Sequence, residues 1–132
     1  MKEIDQCLFD TNVSYSIEHT WIRVDGGTAL VGISDYAQDQ LGEIIFVELP
    51  EPENHLKKNA VFGLVESVKT SSELYMPISG TVVAVNLTLE DNPELVNSAP
   101  FSEGWMLRIE PDDKDEIETL LSAQAYKKIL LD

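Results

Sequence analysis

The sequence predicts a mainly β fold, a flattened β-barrel or β-sandwich with a short internal helix and helical residues near the C-terminus. Three observations support this fold class. Short runs are rich in β-branched and aromatic residues, glycines and prolines separate those runs, and amphipathic helical spacing recurs near the end of the chain. At 132 residues the chain has the usual length of one domain, so we expect residues 1–132 to form a single domain.

The first part of the chain contains an arm, a hairpin and a helix. Residues 1–17 have no firm periodicity, and we expect an N-terminal arm that pairs at a sheet edge or stays mobile. From Trp21 the run WIRVDGGTALVGIS holds two β-rich stretches around Asp25-Gly26-Gly27, which predicts a tight hairpin with positive φ angles. Ser34 can cap a helix over residues 35–41, because Gly42 follows directly as a helix end.

The remaining elements are shorter strands and a helical end. The predicted strands cover residues 43–50, 61–67, 74–76, 81–87 and 105–111. The polar segments ENHLKKN, VKTSS and EDNPE between them are predicted loops or turns. Residues 113–131 are predicted to be helical, with Asp112 or Asp113 as a cap and Ser122 as a second cap that would divide the segment.

Composition excludes several classes of partner. Nine basic residues against 24 acidic ones give a net charge of −15, which repels phosphate backbones and anionic membrane surfaces, so we expect neither nucleic acid nor membrane binding. This charge either favours docking on basic protein surfaces or serves solubility alone. Cys7 is the only cysteine, and the first ten residues resemble neither a signal nor a transit peptide, so we expect a cytoplasmic location.

The sequence contains no recognisable catalytic motif. His19 and His55 lack the spacing of a metal site, and neither a GxSxG elbow nor a phosphate-binding glycine loop occurs. Lys69 is nevertheless unusual, because it is the only basic residue between Lys58 and Arg108 and lies at the tip of a predicted hairpin. Taken alone, such a lysine is most simply a solvated charge that discourages strand aggregation.

The lysine hairpin resembles a known one. Glu66-Ser67-Val68-Lys69, followed by PISGTVVAVN at 77–86, is similar to the swinging-arm hairpin of the glycine cleavage system H protein family. The resemblance extends over residues 18–127 and includes the runs HTWIRVDGGTALVGISDYAQDQLGEIIFVELP, NPELVN, EGWMLRI and DEIETLLSAQAY. It implies a fold like that of lipoyl and biotinyl carriers, a carrier that is not an enzyme, and lipoic acid attached by an amide to Lys69.

The resemblance also implies partners. A pyridoxal-phosphate glycine decarboxylase would load the aminomethyl group of glycine, a folate-dependent aminomethyltransferase would take its carbon, and dihydrolipoyl dehydrogenase would reoxidise the dithiol. A lipoate ligase or a lipoyl/octanoyl transferase would attach the cofactor. The resemblance further implies that Glu66 and Gly80 help this enzyme to recognise the hairpin.

The chain departs from the family pattern at a few positions. Glu18-His19-Thr20-Trp21 stands where His-Glu-Trp is common, so we expect Glu18 or Glu73 to replace the displaced acid as a contact of the loaded arm. Thr70 replaces an alanine, Phe101 replaces a tyrosine, and Asn59 replaces a turn glycine but tolerates the left-handed conformation.

Three alternatives remain open. A stand-alone lipoyl donor or relay protein for lipoylation of other enzymes would use the same lysine. A biotin carrier is disfavoured, because those carriers resemble Met-Lys-Met at the attachment site and this chain has Val68-Lys69-Thr70. The third alternative is an unmodified interaction module.

The charge also predicts where partners dock. We expect an acidic docking face around the hairpin that includes Glu66, Glu73, Glu90 and Asp91. The alternative is an apolar contact near Tyr75 and Met76.

Overall fold

A computed structural model describes residues 2–132. The strands are β1 Ser14–Tyr15, β2 Thr20–Asp25, β3 Thr28–Ile33, β4 Ile44–Glu48, β5 His55–Leu56, β6 Val61–Ser67, β7 Ser71–Tyr75, β8 Gly80–Val85 and β9 Leu107–Pro111. The α-helices are α1 Asp35–Leu41, α2 Thr88–Asp91, α3 Leu95–Ser98 and α4 Ala123–Leu131. Two 3-10 helices cover Ile4–Gln6 and Lys114–Thr119.

The strands form two antiparallel sheets. Six strands pair in the order β1-β2-β3-β9-β8-β5, and three pair in the order β4-β6-β7. Apolar side chains from both sheets form the main core, among them Val31, Ile44, Val65, Met106 and Ile109. The mainly β prediction is confirmed, and because the two sheets are separate in their hydrogen bonding the fold is a sandwich and not a closed barrel.

The local signals of the first half produce the predicted elements. Asp25 pairs with Thr28 across the β2–β3 hairpin, and Gly26 in the turn has φ 65°, whereas Gly27 does not adopt the expected positive φ. The Ser34 hydroxyl accepts a hydrogen bond from the Ala37 N–H at 3.1 Å, which caps α1 at the predicted residue. The hairpin and the cap are confirmed because each depends on adjacent residues alone.

Several predicted boundaries were wrong. Strand β7 begins at Ser71 instead of residue 74, which shortens the hairpin tip, and β9 begins at Leu107 instead of 105. The segment predicted as the EDNPE loop contributes to α2, with α3 following after Pro93. The polar run ENHLKKN contains strand β5, which pairs with β8.

The two ends of the chain meet at the edge of the six-stranded sheet. Within residues 2–17, β1 pairs with β2, as expected for an arm that joins a sheet edge. Tyr15 also forms an isolated bridge with Leu121. In the C-terminal segment Asp113 caps the 3-10 helix and Ser122 caps α4. Residues 113–131 therefore form two separate helices, as the predicted cap at Ser122 indicated.

A second apolar cluster lies under α4. The rings of Tyr15 and Tyr126 stack with their centroids 4.5 Å apart, and Trp21 donates from Nε1 to the Pro100 carbonyl at 3.0 Å. Phe101 packs against both Tyr15 and Trp21, so it fills an aromatic position in this cluster. The helices within residues 2–132 are too short or too polar to cross a membrane.

Candidate functional site

One buried serine holds the hairpin tip between β6 and β7. The Ser67 hydroxyl accepts hydrogen bonds from the N–H groups of Lys69 at 3.2 Å and Thr70 at 3.1 Å. The Ser67 N–H donates to the Thr70 carbonyl at 2.7 Å, and the Val68 N–H donates to the Glu43 carbonyl at 3.1 Å. Every N–H group from 67 to 70 is therefore bonded, which fixes the backbone on both sides of the lysine.

The Lys69 side chain runs across the C-terminal end of α1. Its Cε lies 3.4 Å from the position that a Cβ atom on Gly42 would occupy. The final carbonyls of a helix carry partial negative charge, which favours an ammonium group at this end. Lys69 is exposed, and it takes part in no ion pair among residues 2–132. It is therefore a primary amine that a second protein can reach.

Asn97 of α3 braces the segment beneath the tip. Its Oδ1 accepts a hydrogen bond from the Ile44 N–H at 2.8 Å, and its Nδ2 donates to the Gly42 carbonyl at 2.9 Å. The same Nδ2 donates to the Gln38 Oε1 at 2.8 Å. Because Glu43 lies between the two bonded backbone groups, Asn97 also fixes the carbonyl that receives Val68. The sequence analysis did not predict this role for Asn97, which appeared there only as the last residue of NPELVN in the family resemblance.

A cavity of about 310 Å³ opens on the other side of α1. Tyr36 and Leu41 of α1 and Leu74 of β7 supply apolar wall, and the carboxylate residues Glu18 and Glu73 also line it. The structure thus brings together the two acids that the sequence proposed as alternatives. The lysine lies against the C-terminal end of the same helix, at Gly42.

The C-terminal helix supports the wall of this cavity. His19, which lines it, has φ 72° and shares a hydrogen bond between its Nδ1 and the Tyr126 hydroxyl at 2.7 Å. That hydroxyl also bonds to Ser34 at 2.8 Å. Burial lowers the pKa of the His19 imidazole, and the nearby Glu18 carboxylate opposes part of this effect. Burial raises the pKa of the Tyr126 phenol above its ordinary value of 10.

Two residues at positions of family departure have a structural explanation. Thr20 is buried, and its hydroxyl bonds to the Ser16 hydroxyl at 2.7 Å, so it does not supply a polar group to the cavity. Asn59 has φ 70°, which confirms the left-handed conformation expected where a glycine is usual. Thr70 is exposed at the tip, and nothing in the structure explains its replacement of alanine.

The two residues expected to help recognition lie in different sheets. Glu66 is exposed on β6, where it pairs with Phe46 and Ser71. Gly80 is buried at the start of β8, and a Cβ atom there would lie 2.8 Å from the Glu110 carbonyl oxygen. Close packing in the six-stranded sheet is thus sufficient reason for a glycine at this position. The recognition roles of both residues stay predictions.

The predicted docking residues differ in their exposure. The four acids Glu66, Glu73, Glu90 and Asp91 are all exposed, as expected. Of the two residues named for the alternative apolar contact, Met76 is fully buried and Tyr75 is half-buried, so only Tyr75 offers part of its side chain to a partner. The Met76 side chain faces inward because it belongs to the main core between the sheets.

Comparisons with known proteins agree with this architecture. Residues 13–132 match the family model of the glycine cleavage H-protein. A glycine cleavage system H protein from Anoxybacillus flavithermus is 56% identical over 116 residues, covering 88% of this chain and 91% of the relative. One from Staphylococcus carnosus is 49% identical over 118 residues, covering 89% of this chain and 94% of the relative.

A solved structure gives the same result. The crystal structure of a glycine cleavage system H protein from Mycobacterium marinum superposes with a TM-score of 0.84 at 33% identity, covering 92% of this chain and 98% of that one. The family match and the two relatives each cover most of the chain. This chain therefore belongs to the glycine cleavage H-protein family, and it is a non-catalytic carrier subunit and not an enzyme.

Proposed function

We propose that residues 1–132 act as one carrier domain that bears lipoic acid as an amide on Lys69 and shuttles the aminomethyl group of glycine. The observation that carries this proposal is the exposed Lys69 amine on a hairpin tip whose N–H groups are all bonded. A rigid tip offers one amine in a constant position to each enzyme that must find it. When attached, the lipoyl group supplies a reducible disulfide at the end of a long tether.

The residues around the lysine fit such a group. Amide formation removes the ammonium charge. The four-carbon stem of Lys69 already lies over Gly42, and within residues 2–132 no salt bridge of this lysine would have to break. The apolar wall formed by Tyr36, Leu41 and Leu74 suits an aliphatic arm. We propose that Glu18 and Glu73 contact the loaded arm, since carboxylates at the cavity attract a cationic amine.

The proposed partners follow from this role. They are glycine decarboxylase, aminomethyltransferase and dihydrolipoyl dehydrogenase, together with a lipoate ligase or a lipoyl/octanoyl transferase that modifies Lys69. Glu66 and Gly80 are proposed to help the modifying enzyme, and the working location is proposed to be the cytoplasm. The carrier's own residues position and shelter the arm, and they perform none of the chemistry.

Intact mass spectrometry of the protein from its native source tests the attachment. We expect a lipoyl adduct that peptide mapping places on Lys69. Lys69→Arg should fold normally and lose the adduct, because the guanidinium keeps its charge and does not form the amide. Lys57→Arg is the matched control, since Lys57 is an exposed lysine away from the tip and should leave the adduct intact. Equal incorporation of labelled lipoate into wild type and Lys69→Arg would contradict the proposal.

A second assay separates glycine cleavage from lipoyl relay. The lipoylated chain, mixed with purified glycine decarboxylase, should support exchange of labelled bicarbonate into glycine. A lipoylated chain that transfers its acyl group to other enzymes, and does not support this exchange, would favour the stand-alone lipoyl donor instead.

A further inference from the structure

We call the three-stranded sheet β4-β6-β7 the hairpin sheet, because it contains the Lys69 hairpin. Its outer face carries apolar side chains beside Lys69 that the proposed attachment does not explain. Strand β4 has a bulge between Ile44 and Phe46, where its pairing with β6 shifts register. In a regular strand, successive side chains point to opposite faces of the sheet. A bulge adds an extra residue that breaks this alternation, so two successive side chains can both be exposed. Ile45 and Phe46 are consequently both in solvent, with 53% and 46% of their surface exposed.

The exposed apolar residues reach the tip itself. Val68 precedes the lysine and is 64% exposed. Phe46 is the cross-strand partner of Glu66, which is two residues before Val68, and the Val68 N–H bonds to the Glu43 carbonyl. We call Ile45, Phe46 and Val68 the tip patch. Single exposed apolar residues are ordinary, but a group of three around a functional residue, one of them aromatic, is typical of an interface centre.

Acidic side chains surround the tip patch. Glu48, Leu64 and Glu73 form one cross-strand row of the outer face, and Phe46, Glu66 and Ser71 form the next. Glu43 lies at the near end of β4, and all four of these glutamates are exposed. The face therefore has an apolar centre and a negative rim, which complements an apolar cleft bordered by lysine or arginine side chains.

We propose that the tip patch is the docking surface for the enzyme that acylates Lys69; this inference rests on the proposed function. We choose the acylating enzyme as the partner because of the atom that it has to reach. The acylating enzyme must admit the lysine amine itself, whose stem lies against Gly42, so it has to contact the surface immediately around the tip. Enzymes that act on the far end of the attached arm can dock farther away.

Kinetics of acylation test the surface. A purified lipoate ligase, supplied with lipoate and ATP, should acylate Val68→Ser and Ile45→Ser/Phe46→Ser with KM raised about tenfold or more, since truncated interface centres commonly cost this much affinity. Values of kcat should change by less than about twofold, because the amine is unaltered. The matched control is Val83→Ser/Leu87→Ser, which removes two exposed apolar side chains outside the hairpin sheet and should leave KM unchanged.

Competition gives a readout that does not depend on acylation of the variant. Lys69→Arg protein cannot accept the acyl group but keeps the tip patch, so an excess should slow acylation of wild type. The same protein with Val68→Ser added should inhibit far less. Val68 is outside the core, so this comparison remains decisive if the double variant in β4 fails to fold.

The outcomes separate the two proposals. Normal acylation of wild type with unchanged KM for the tip-patch variants would overturn the docking surface alone. Equal loss in the Val83→Ser/Leu87→Ser control, or equal inhibition by both competitors, would overturn it as well. Failure of the ligase to acylate wild type at Lys69 would instead overturn the proposed function, together with the occupant named for this surface.

Discussion

The Lys69 side chain lies over Gly42, with its Cε 3.4 Å from the place where a Cβ atom on that glycine would stand. The lysine is thus oriented by two elements, the hairpin that carries it and the end of α1 beneath it. Gly42 has φ 85° and ψ −163°, a backbone conformation that is essentially restricted to glycine. The glycine that ends α1 is therefore also the residue over which the Lys69 side chain lies.

Gly42→Ala should destabilise the protein by about 1 to 3 kcal/mol, because alanine is strained in this conformation. Urea unfolding followed by circular dichroism measures the free energy. Gly27→Ala is the control, since its added Cβ would meet no atom within 4 Å and its φ lies outside the left-handed region. Equal effects of the two substitutions would contradict the assignment of strain to Gly42.

Asn97→Ala should cost about 1 to 3 kcal/mol of unfolding free energy, because it leaves the Ile44 N–H and the Gly42 carbonyl without their partner. It should also increase hydrogen exchange at the Val68 amide, since the Glu43 carbonyl loses its support. Asn92→Ala is the control, because Asn92 is exposed and its side-chain Nδ2 lies at a long 3.5 Å from the Thr88 carbonyl that it bonds. Unchanged exchange at Val68 would show that Asn97 does not brace the tip.

Glu73→Gln should weaken retention of the loaded arm. We expect spontaneous loss of the aminomethyl carbon to accelerate about two- to fivefold, which corresponds to the roughly 0.5 to 1 kcal/mol of a partly exposed ion pair. The measurement is the decay of radiolabel on purified, loaded carrier. Glu118→Gln removes an exposed acid from the C-terminal 3-10 helix and should leave the decay unchanged. Equal decay rates in wild type, Glu73→Gln and Glu118→Gln would show that Glu73 does not help to retain the loaded arm.

His19 should make stability depend on pH below its ordinary pKa of 6.5. Burial lowers its folded-state pKa below the ordinary value of 6.5, so the unfolded chain binds the proton more readily. The stability that neutral His19 contributes is present above pH 6.5 and is lost as the pH falls through the folded-state pKa. His19→Asn, which tolerates the observed φ of 72°, should flatten the pH dependence of urea unfolding in this window. An unchanged slope would contradict this origin.

Docking on partner enzymes should be sensitive to salt. With a net charge of −15, encounter with a basic surface is accelerated by electrostatic attraction. Exposed charges are screened over about 8 Å at physiological ionic strength, so kcat/KM for the carrier as substrate should fall as salt rises. Circular dichroism serves as the control for folding. A constant kcat/KM from low to high salt would indicate that apolar contacts such as the tip patch dominate.

Features that depend on neighbouring residues could be read from the sequence. The Asp25-Gly26-Gly27 turn, the Ser34 cap and the Ser122 cap each satisfy a local backbone requirement, and each appears where expected. The prominence of Lys69 is also local, because it follows from the absence of other basic residues between 59 and 107 and from the hairpin pattern on either side.

Features that depend on contacts between distant segments were decided by the tertiary structure. Asn97 reaches Gly42 only because α3 packs beside α1. Glu18 and Glu73 line the same cavity only because the β1–β2 connection and β7 both border it. The bulge that exposes Ile45 and Phe46 likewise depends on how β4 pairs with β6. A residue pattern specifies which face of an element is apolar, whereas the partner of that face depends on long-range packing. The sequence therefore determined the lysine hairpin, and the tertiary structure determined which residues surround it.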